Sequence, residues 1–120
     1  MTSEATLLVS GQVILNGTLS FTGATVYVRL EDVTRVDVPS VIVAEQIIQD
    51  VSYDADNQQE IAFHLTGTAP DPRARYNVRV HVDVNGDERI SQGDYLSIQS
   101  YPVLTDGHPD HVSVRLHQVG

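Results

Sequence analysis

The sequence predicts an all-β protein, an antiparallel two-sheet β-sandwich of the immunoglobulin or transthyretin-like kind with about seven strands. Short segments that are β-branched or alternate between apolar and polar residues follow one another along the chain. Turn-forming Asn, Gly, Asp and Pro residues separate them, and no long stretch has helical periodicity. Because 120 residues are the size of one domain, we expect residues 1–120 to form a single sandwich.

The first half of the chain contains three candidate strands. Thr6 to Leu15 is apolar and β-branched, and the Asn16-Gly17 pair that follows it is a strong turn signal. Ala24 to Leu30 alternates, which predicts a strand with one buried face. Val41 to Ile48 is a short apolar run that fits a helix or a strand, and its β-branched content favours the strand.

The second half contains four more candidate strands. Tyr76 to Val82 has the clearest alternation, with apolar residues at every second position. Ile61 to Leu65 alternates over a shorter stretch, and Tyr95 to Val103 and Val112 to Leu116 complete the set. Turn-formers lie between them, as they do at Asp54 to Asn57.

Composition and charge exclude several classes of protein. A net charge of −9 argues against nucleic acid and anionic membrane surfaces as partners, because both require a basic patch. The chain has no Cys, which excludes disulfides and thiol catalysis. No segment approaches the ~18 apolar residues of a membrane helix, so we expect no direct membrane insertion.

The N-terminal residues bear on the location of the protein. The start, MTSEATLLVSG, has no basic segment followed by a hydrophobic run, so no signal peptide is visible. The chain as given predicts a cytoplasmic location. If an N-terminal signal has been removed, the expected location is the periplasm or the outer membrane.

Asp83 to Asp94, DVNGDERISQGD, has the spacing of a twelve-residue calcium loop, and we call it the acidic loop. Calcium prefers about six to eight oxygen ligands, which such a loop supplies from positions 1, 3, 5, 7, 9 and 12. Three carboxylates that converge without a nearby Lys repel one another, and a cation would neutralise them. The predicted ligands are Asp83, Asn85, Asp87, the backbone carbonyl of Arg89, Ser91 and Asp94.

Two residues of the acidic loop depart from the usual calcium pattern. Position 6 is Glu88 where the turn calls for Gly, and a positive φ costs a non-Gly residue roughly 1–2 kcal/mol. Position 12 is Asp94, which reaches less far than Glu. The loop resembles the calcium repeat of dockerin modules, although no helix and no second copy follow it. The alternative is a solvated hairpin connection between Val82 and Tyr95.

We expect the sandwich core to lie elsewhere than the acidic loop, so Asp83→Ala should lose the calcium response while keeping the fold. Three histidines occupy outward positions of alternating strands: His64, His81 and His117. Three arginines do the same: Arg29, Arg79 and Arg115. We interpret these arginines as partners in cross-strand ion pairs, or alternatively as a small basic stripe for a carboxylate-bearing partner.

No nucleophile–base set or hydrolase motif is visible, so we predict that the protein is not an enzyme.

Three blocks of the sequence carry a resemblance to a known family. They are VRLEDVTRVDVPSVIVAEQII from Val28 to Ile48, RARYNVRVHV from Arg73 to Val82, and QSYPVLTDGHPDHVSVRL from Gln99 to Leu116. Together they resemble the signature of the YbaY/YscW-type bacterial lipoprotein family, over roughly residues 7 to 117. The combination of the LEDV and YPVLT elements is the most specific part of the match.

The resemblance implies a compact β-sandwich, and some members are pilotins that guide a type III secretion ring protein to the outer membrane. The sequence lacks the lipid-bearing Cys of that family, and it has the acidic loop where many members have a short hairpin. We therefore predict a non-enzymatic binding or chaperone-like module that contacts a protein partner through an exposed strand edge, with calcium as its cofactor. The alternative is a structural envelope or extracellular domain that calcium stiffens, with no dedicated partner.

Overall fold

The computed structural model describes residues 6–15, 20–35, 37–55 and 59–119. Within these residues the secondary structure consists of strands, and the predicted two-sheet all-β sandwich is confirmed. The turn predicted at Asn16-Gly17, and half of the one predicted at Asp54 to Asn57, lie outside the described residues. The strands are β1 (Thr6–Leu15), β2 (Phe21–Asp32), β3 (Val41–Tyr53), β4 (Gln59–Gly67), β5 (Tyr76–Asp83), β6 (Tyr95–Leu96), β7 (Pro102–Val103), β8 (His111–Arg115) and β9 (His117–Gln118).

The strands form two sheets of different size. The small sheet has the order β4-β1-β8, and the large sheet has the order β3-β2-β5-β6-β9, with β7 also paired to β5. Neighbours are antiparallel except for β8, which runs parallel to β1 along Ser10–Ile14. The sequence predicted an antiparallel sandwich, and the parallel pair of β1 and β8 is an exception to that prediction.

The core lies between the inward faces of the two sheets. Alternate residues of each long strand point inward, which explains why the apolar positions of β1, β2 and β5 are almost completely buried. The large sheet contributes Val26, Val28, Leu30, Val78, Val80 and Val82. The small sheet contributes Val9, Val13, Leu15, Phe63, Leu65 and Val114.

A glycine allows β8 to approach β1. A Cβ atom placed on Gly11 would lie 1.8 Å from the carbonyl oxygen of Val112. Gly11 and Val112 are register partners in the parallel pair, so only the missing side chain lets the two backbones pack this closely.

The prediction of one strand from Tyr95 to Val103 is wrong. Only its two ends pair as strands, β6 and β7, and both pair with β5. Between them the pairing is irregular, with backbone bonds from Ser97 N–H to the Val80 carbonyl at 3.0 Å and from Val78 N–H to the Tyr101 carbonyl at 3.1 Å. Side chains add to these bonds: Asn77 Oδ1 accepts from the Tyr101 N–H at 2.6 Å, and Ser97 Oγ accepts from the Val80 N–H at 3.0 Å. Asn77 is therefore buried beside this segment, whereas Arg79 on the same outward face of β5 is exposed.

Candidate functional site: the open edge of β3 and the acidic loop

β3 is an outer strand of the large sheet. Among the described residues it pairs with β2 alone, so one side of its backbone lacks a neighbouring strand in that sheet. The predicted segment Val41 to Ile48 is therefore a strand, and it lies at an edge.

Along the second half of β3, side-chain amides form hydrogen bonds to or from β4, an outer strand of the small sheet. Gln46 Oε1 of β3 accepts a hydrogen bond from the backbone N–H of His64 in β4 at 2.8 Å. Gln59 Nε2 of β4 donates to the backbone carbonyl of Ser52 in β3 at 2.9 Å. These two bonds join the edges of the two sheets, and they occupy one backbone group on each, the Ser52 carbonyl of β3 and the His64 N–H of β4.

A tyrosine performs the same task on the opposite side of the sandwich. The hydroxyl of Tyr101 accepts a hydrogen bond from the N–H of Arg115 at 2.9 Å and donates to its carbonyl at 3.3 Å. Arg115 is the last residue of β8, the outer strand of the small sheet. The end of that strand is therefore also closed.

The first three residues of β3 have no such cover, and we call Val41–Val43 the open edge. Their exposed fractions are 61 %, 49 % and 44 % for Val41, Ile42 and Val43. A register shift opposite Leu30 and Glu31 makes this part of β3 irregular. A hollow of about 300 Å³ adjoins the open edge, lined by Asp32, Thr34, Arg35, Val38, Pro39, Val41, Asp71, Arg73 and Ala74.

The acidic loop closes the hairpin between β5 and β6, where Val82 and Tyr95 are register partners. The loop brings together three of its predicted ligands: one carboxylate oxygen from each of Asp83, Asp87 and Asp94 lies within 4.8 Å of the others. Asp83 and Asp94 are 1 % and 0 % exposed, whereas Asp87 is exposed.

Backbone amides of the loop itself hold the two buried carboxylates. Asp83 accepts hydrogen bonds from the N–H groups of Gly86 at 3.0 Å and Glu88 at 2.8 Å. Asp94 accepts from Val84 N–H at 2.9 Å. It also accepts from Ser91 N–H at 3.1 Å and lies 2.9 Å from Nε2 of His81. The core lies between the sheets as expected, but the two end carboxylates of the loop are buried and hold the hairpin together, and the effect of Asp83→Ala on the fold stays a prediction.

The exposed carboxylate of Asp87 is held in the middle of the loop. The hydroxyl of Ser91 and the backbone N–H of Arg89 donate to it, and these bonds lower the pKa of Asp87, the Ser91 hydroxyl most strongly. The side-chain amide of Asn85 donates to the same carboxylate at 3.3 Å. Glu88 has φ +60°, so the positive φ expected at position 6 is present, and Gly86 has φ +74°.

The side chains of the loop fit a hard divalent cation in their chemistry. Carboxylate and amide oxygens are the ligands that calcium prefers, and Asp83, Asn85 and Asp87 supply them. Each oxygen of Asp83 accepts one hydrogen bond, which leaves a lone pair on each. Oδ2 of Asp94 contacts two nitrogens, so this residue offers chiefly its other oxygen.

His81 is not the surface residue that alternation predicts. It is 8 % exposed, its Nε2 contacts Asp94, and its ring stacks on Tyr27 with the centroids 5.9 Å apart. The acidic loop covers this outward position, and no local sequence pattern reports such cover. His64 and His117 are exposed as predicted.

The three outward arginines do not form one stripe. Arg29 and Arg79 are register partners on the large sheet, but Arg115 lies on β8 of the small sheet. Arg29 pairs with Glu45, and Arg79 pairs with Glu31 at 3.1 Å. The ion-pair interpretation therefore holds for the first two.

The chain matches the model of the type III secretion system lipoprotein chaperone family, YscW, over residues 4–116. It belongs to this family. No curated protein matches the chain. Among solved structures, an alternative pilotin from the type II secretion system of Vibrio cholerae is 24 % identical, with 98 % of this chain and 99 % of that chain covered and a TM-score of 0.77. At this identity the likeness shows a shared fold.

The YscW family match covers both parts of the site. The open edge lies inside the Val28 to Ile48 block that carried the sequence resemblance, and the acidic loop also lies inside the matched residues. The resemblance of the loop to dockerin repeats is a separate prediction that the family match leaves untested. Within the described residues of this YscW-family chain, no helix is long and apolar enough to cross a membrane.

Proposed function

We propose that this YscW-family protein is a non-enzymatic, chaperone-like module that binds a protein component of a bacterial secretion system through the open edge of β3. The family description supports a chaperone role, and the shared fold with an alternative pilotin supports a client in the secretion apparatus. The observation that carries the binding site is the row of exposed apolar residues at Val41–Val43.

The physical reason for this choice of surface is the chemistry of an uncovered strand. Such a strand offers unpaired N–H and C=O groups to an incoming segment, and its apolar side chains gain by losing contact with water. Elsewhere on β3, the Gln46 side chain binds the His64 N–H and the Ser52 carbonyl binds the Gln59 side chain, so this part of the edge is already tied to β4. Since the family is one of lipoproteins, we also propose a periplasmic or outer-membrane-associated location.

Val41→Lys tests the proposal. A charged residue on an exposed strand edge opposes strand addition, and Val41 is 61 % exposed, so the fold should tolerate it. We expect binding to the outer-membrane ring protein of a secretion system from the same organism to weaken at least tenfold, as measured by biolayer interferometry with purified proteins. The matched control is Ser113→Lys, which makes the same charge change at an exposed position of β8.

Two results would reject the proposal. Wild-type protein that does not bind the ring protein would remove the client class. Equal binding by wild type, Val41→Lys and Ser113→Lys would remove the open edge as the site.

Calcium binding by the acidic loop is a second proposal, supported by the three carboxylate oxygens that lie within 4.8 Å of one another. It serves either the chaperone function or the alternative of a structural envelope domain. A cation that binds the folded state alone stabilises it by about 2.7 kcal/mol at a hundredfold excess over its Kd. We therefore expect a higher thermal midpoint in calcium than in chelator, with magnesium at equal ionic strength as the control.

The variant for this test is Asp87→Asn. Asp87 is exposed, so the substitution removes the negative charge of a predicted ligand without uncovering the core. We expect the calcium-dependent shift of the midpoint to shrink in the variant. A wild-type midpoint that is the same in millimolar calcium and in chelator would remove the cation.

A further inference from the structure

The acidic loop contains an Asn-Gly pair, Asn85-Gly86, close to its start. Asparagine that precedes glycine is prone to deamidation, because glycine has no side chain to hinder attack by its own backbone nitrogen on the asparagine side chain. Both residues of the pair are exposed. A Cβ atom placed on Gly86 would meet no heavy atom within 4 Å apart from those of its chain neighbours, so the surroundings leave space for a ring to form.

The side chain of Asn85 is held only by long hydrogen bonds. Its Oδ1 accepts from the backbone N–H of Asp87 at 3.3 Å, and its Nδ2 donates to the carboxylate of Asp87 at 3.3 Å. Both distances exceed the ~2.9–3.0 Å that is usual for such bonds. The carboxamide carbon that would be attacked is therefore not fixed by a strong partner.

The attacking atom, the backbone nitrogen of Gly86, is held more firmly. Its N–H donates to Oδ1 of Asp83 at 3.0 Å, and Asp83 is 1 % exposed. A hydrogen bond to an ionised acceptor is stronger than one to a neutral acceptor. The negative charge of Asp83 also opposes loss of the proton, because the attacking form of the nitrogen is an anion. Asp83 therefore slows the reaction while this bond is made.

We propose that Asn85-Gly86 is a site of spontaneous deamidation whose rate the Asp83 carboxylate restrains. The Gly86 nitrogen loses its proton to solvent and attacks Cγ of Asn85, and the side-chain nitrogen leaves as ammonia. Water then opens the cyclic imide at one of its two carbonyl groups, which gives an aspartate or an isoaspartate residue at this position. This site is independent of the proposed function and of any bound cation.

The modification changes both the charge and the contacts of the loop. Either product places a carboxylate where the amide of Asn85 donates to Asp87, so attraction becomes repulsion. The isoaspartate product also moves a methylene group from the side chain into the backbone. Conversion thus adds one negative charge to the loop without an enzyme, at a rate that the fold sets.

The test follows the conversion of Asn85 over time at neutral pH in a chelating buffer, with the whole protein folded and, as a reference, unfolded in urea. Proteolysis and liquid chromatography with mass spectrometry separate both products. We expect folded wild type to convert more slowly than the unfolded chain, and folded Asp83→Ala to convert about tenfold faster than folded wild type. Ser91→Ala is the matched control, because it removes a hydrogen bond to Asp87 in the same loop and keeps the bond to Gly86.

Circular dichroism shows whether Asp83→Ala is folded. If it is not, Asp83→Asn takes its place, because it keeps the size of the side chain and offers a neutral, weaker acceptor, with a smaller acceleration expected. Equal rates for folded wild type and the Asp83 variant, or an equal acceleration in Ser91→Ala, would overturn the restraint by Asp83. An Asn85 that stays unconverted in all the folded proteins while the unfolded chain converts would overturn the site.

Discussion

Asp94 shows how one buried carboxylate fixes a long connection. It takes hydrogen bonds from the N–H groups of Val84 and Ser91 and contacts His81, so both ends of the acidic loop meet at this side chain. The loop has no regular secondary structure of its own over most of its length, and these bonds supply the order that strand pairing supplies elsewhere.

Asp94→Asn should destabilise the protein. The amide nitrogen of Asn is a donor, so at least one buried N–H loses its acceptor, which typically costs 1–3 kcal/mol. Urea unfolding in the presence of a chelator measures the loss without any contribution from a metal. Asp87→Asn is the matched control because Asp87 is exposed, and equal midpoints for the two variants would contradict the importance of Asp94.

Asp87 predicts a measurable effect of pH. Its pKa is lowered, chiefly by the Ser91 hydroxyl, so its ionised form stabilises the folded state above the ordinary aspartate pKa. This contribution is lost as the pH falls through the lowered value. We expect Ser91→Ala to raise the pKa of Asp87 toward the ordinary value in a carboxyl-carbon NMR titration. An unchanged pKa would show that the Arg89 N–H is sufficient to lower it.

At the scale of the strands, alternation predicted the long elements well. β2 and β5 follow their apolar pattern because each has one face on the core, and that pattern is written in neighbouring residues. The pairing of β8 could not be read in the same way. Parallel register depends on residues far apart in the chain, here the close contact between Gly11 and Val112.

The site was predicted less completely than the fold. The spacing within Asp83 to Asp94 correctly brought three carboxylates together, because a twelve-residue loop closes on itself locally. It did not show that Asp83 and Asp94 are buried, or that His81 lies under the loop, since this burial comes from how the loop folds back on β5. The sequence predicted an exposed strand edge but did not locate it. The bonds of Gln46 and Gln59 that cover the rest of β3 join residues of different sheets, so no local pattern predicts them.

Gly11→Ala should break the pairing of β1 with β8. The added Cβ would lie 1.8 Å from a backbone oxygen that cannot move alone, and we expect a loss of about 3 kcal/mol. Gly67→Ala is the control, because its Cβ would come closest to the Cδ1 atom of Leu8 at 3.2 Å, a side chain that can shift, and would meet the Val43 carbonyl oxygen at an ordinary contact distance of 3.8 Å. Denaturant unfolding gives the stabilities, and hydrogen exchange in β8 locates the change. Equal losses in the two variants would argue against the contact.

At the scale of the whole molecule, the fold separates stability from recognition. The valines and leucines between the sheets supply the apolar burial that holds the two sheets together. The exposed large apolar side chains lie outside this core, among them those of the open edge. We therefore expect substitutions at the open edge to leave the core intact, which makes Val41→Lys informative about binding.

The hydrogen bonds between the Tyr101 hydroxyl and the last residue of β8 have a consequence for stoichiometry. A sandwich whose two sides both accepted strands could pass from one copy to the next and polymerise, as amyloid-like assemblies do. Here Tyr101 bonds the end of β8, and Gln46 and Gln59 bond the second half of β3 to β4, all within the same molecule. If a partner strand adds at the open edge as proposed, we expect one partner for each copy of the protein.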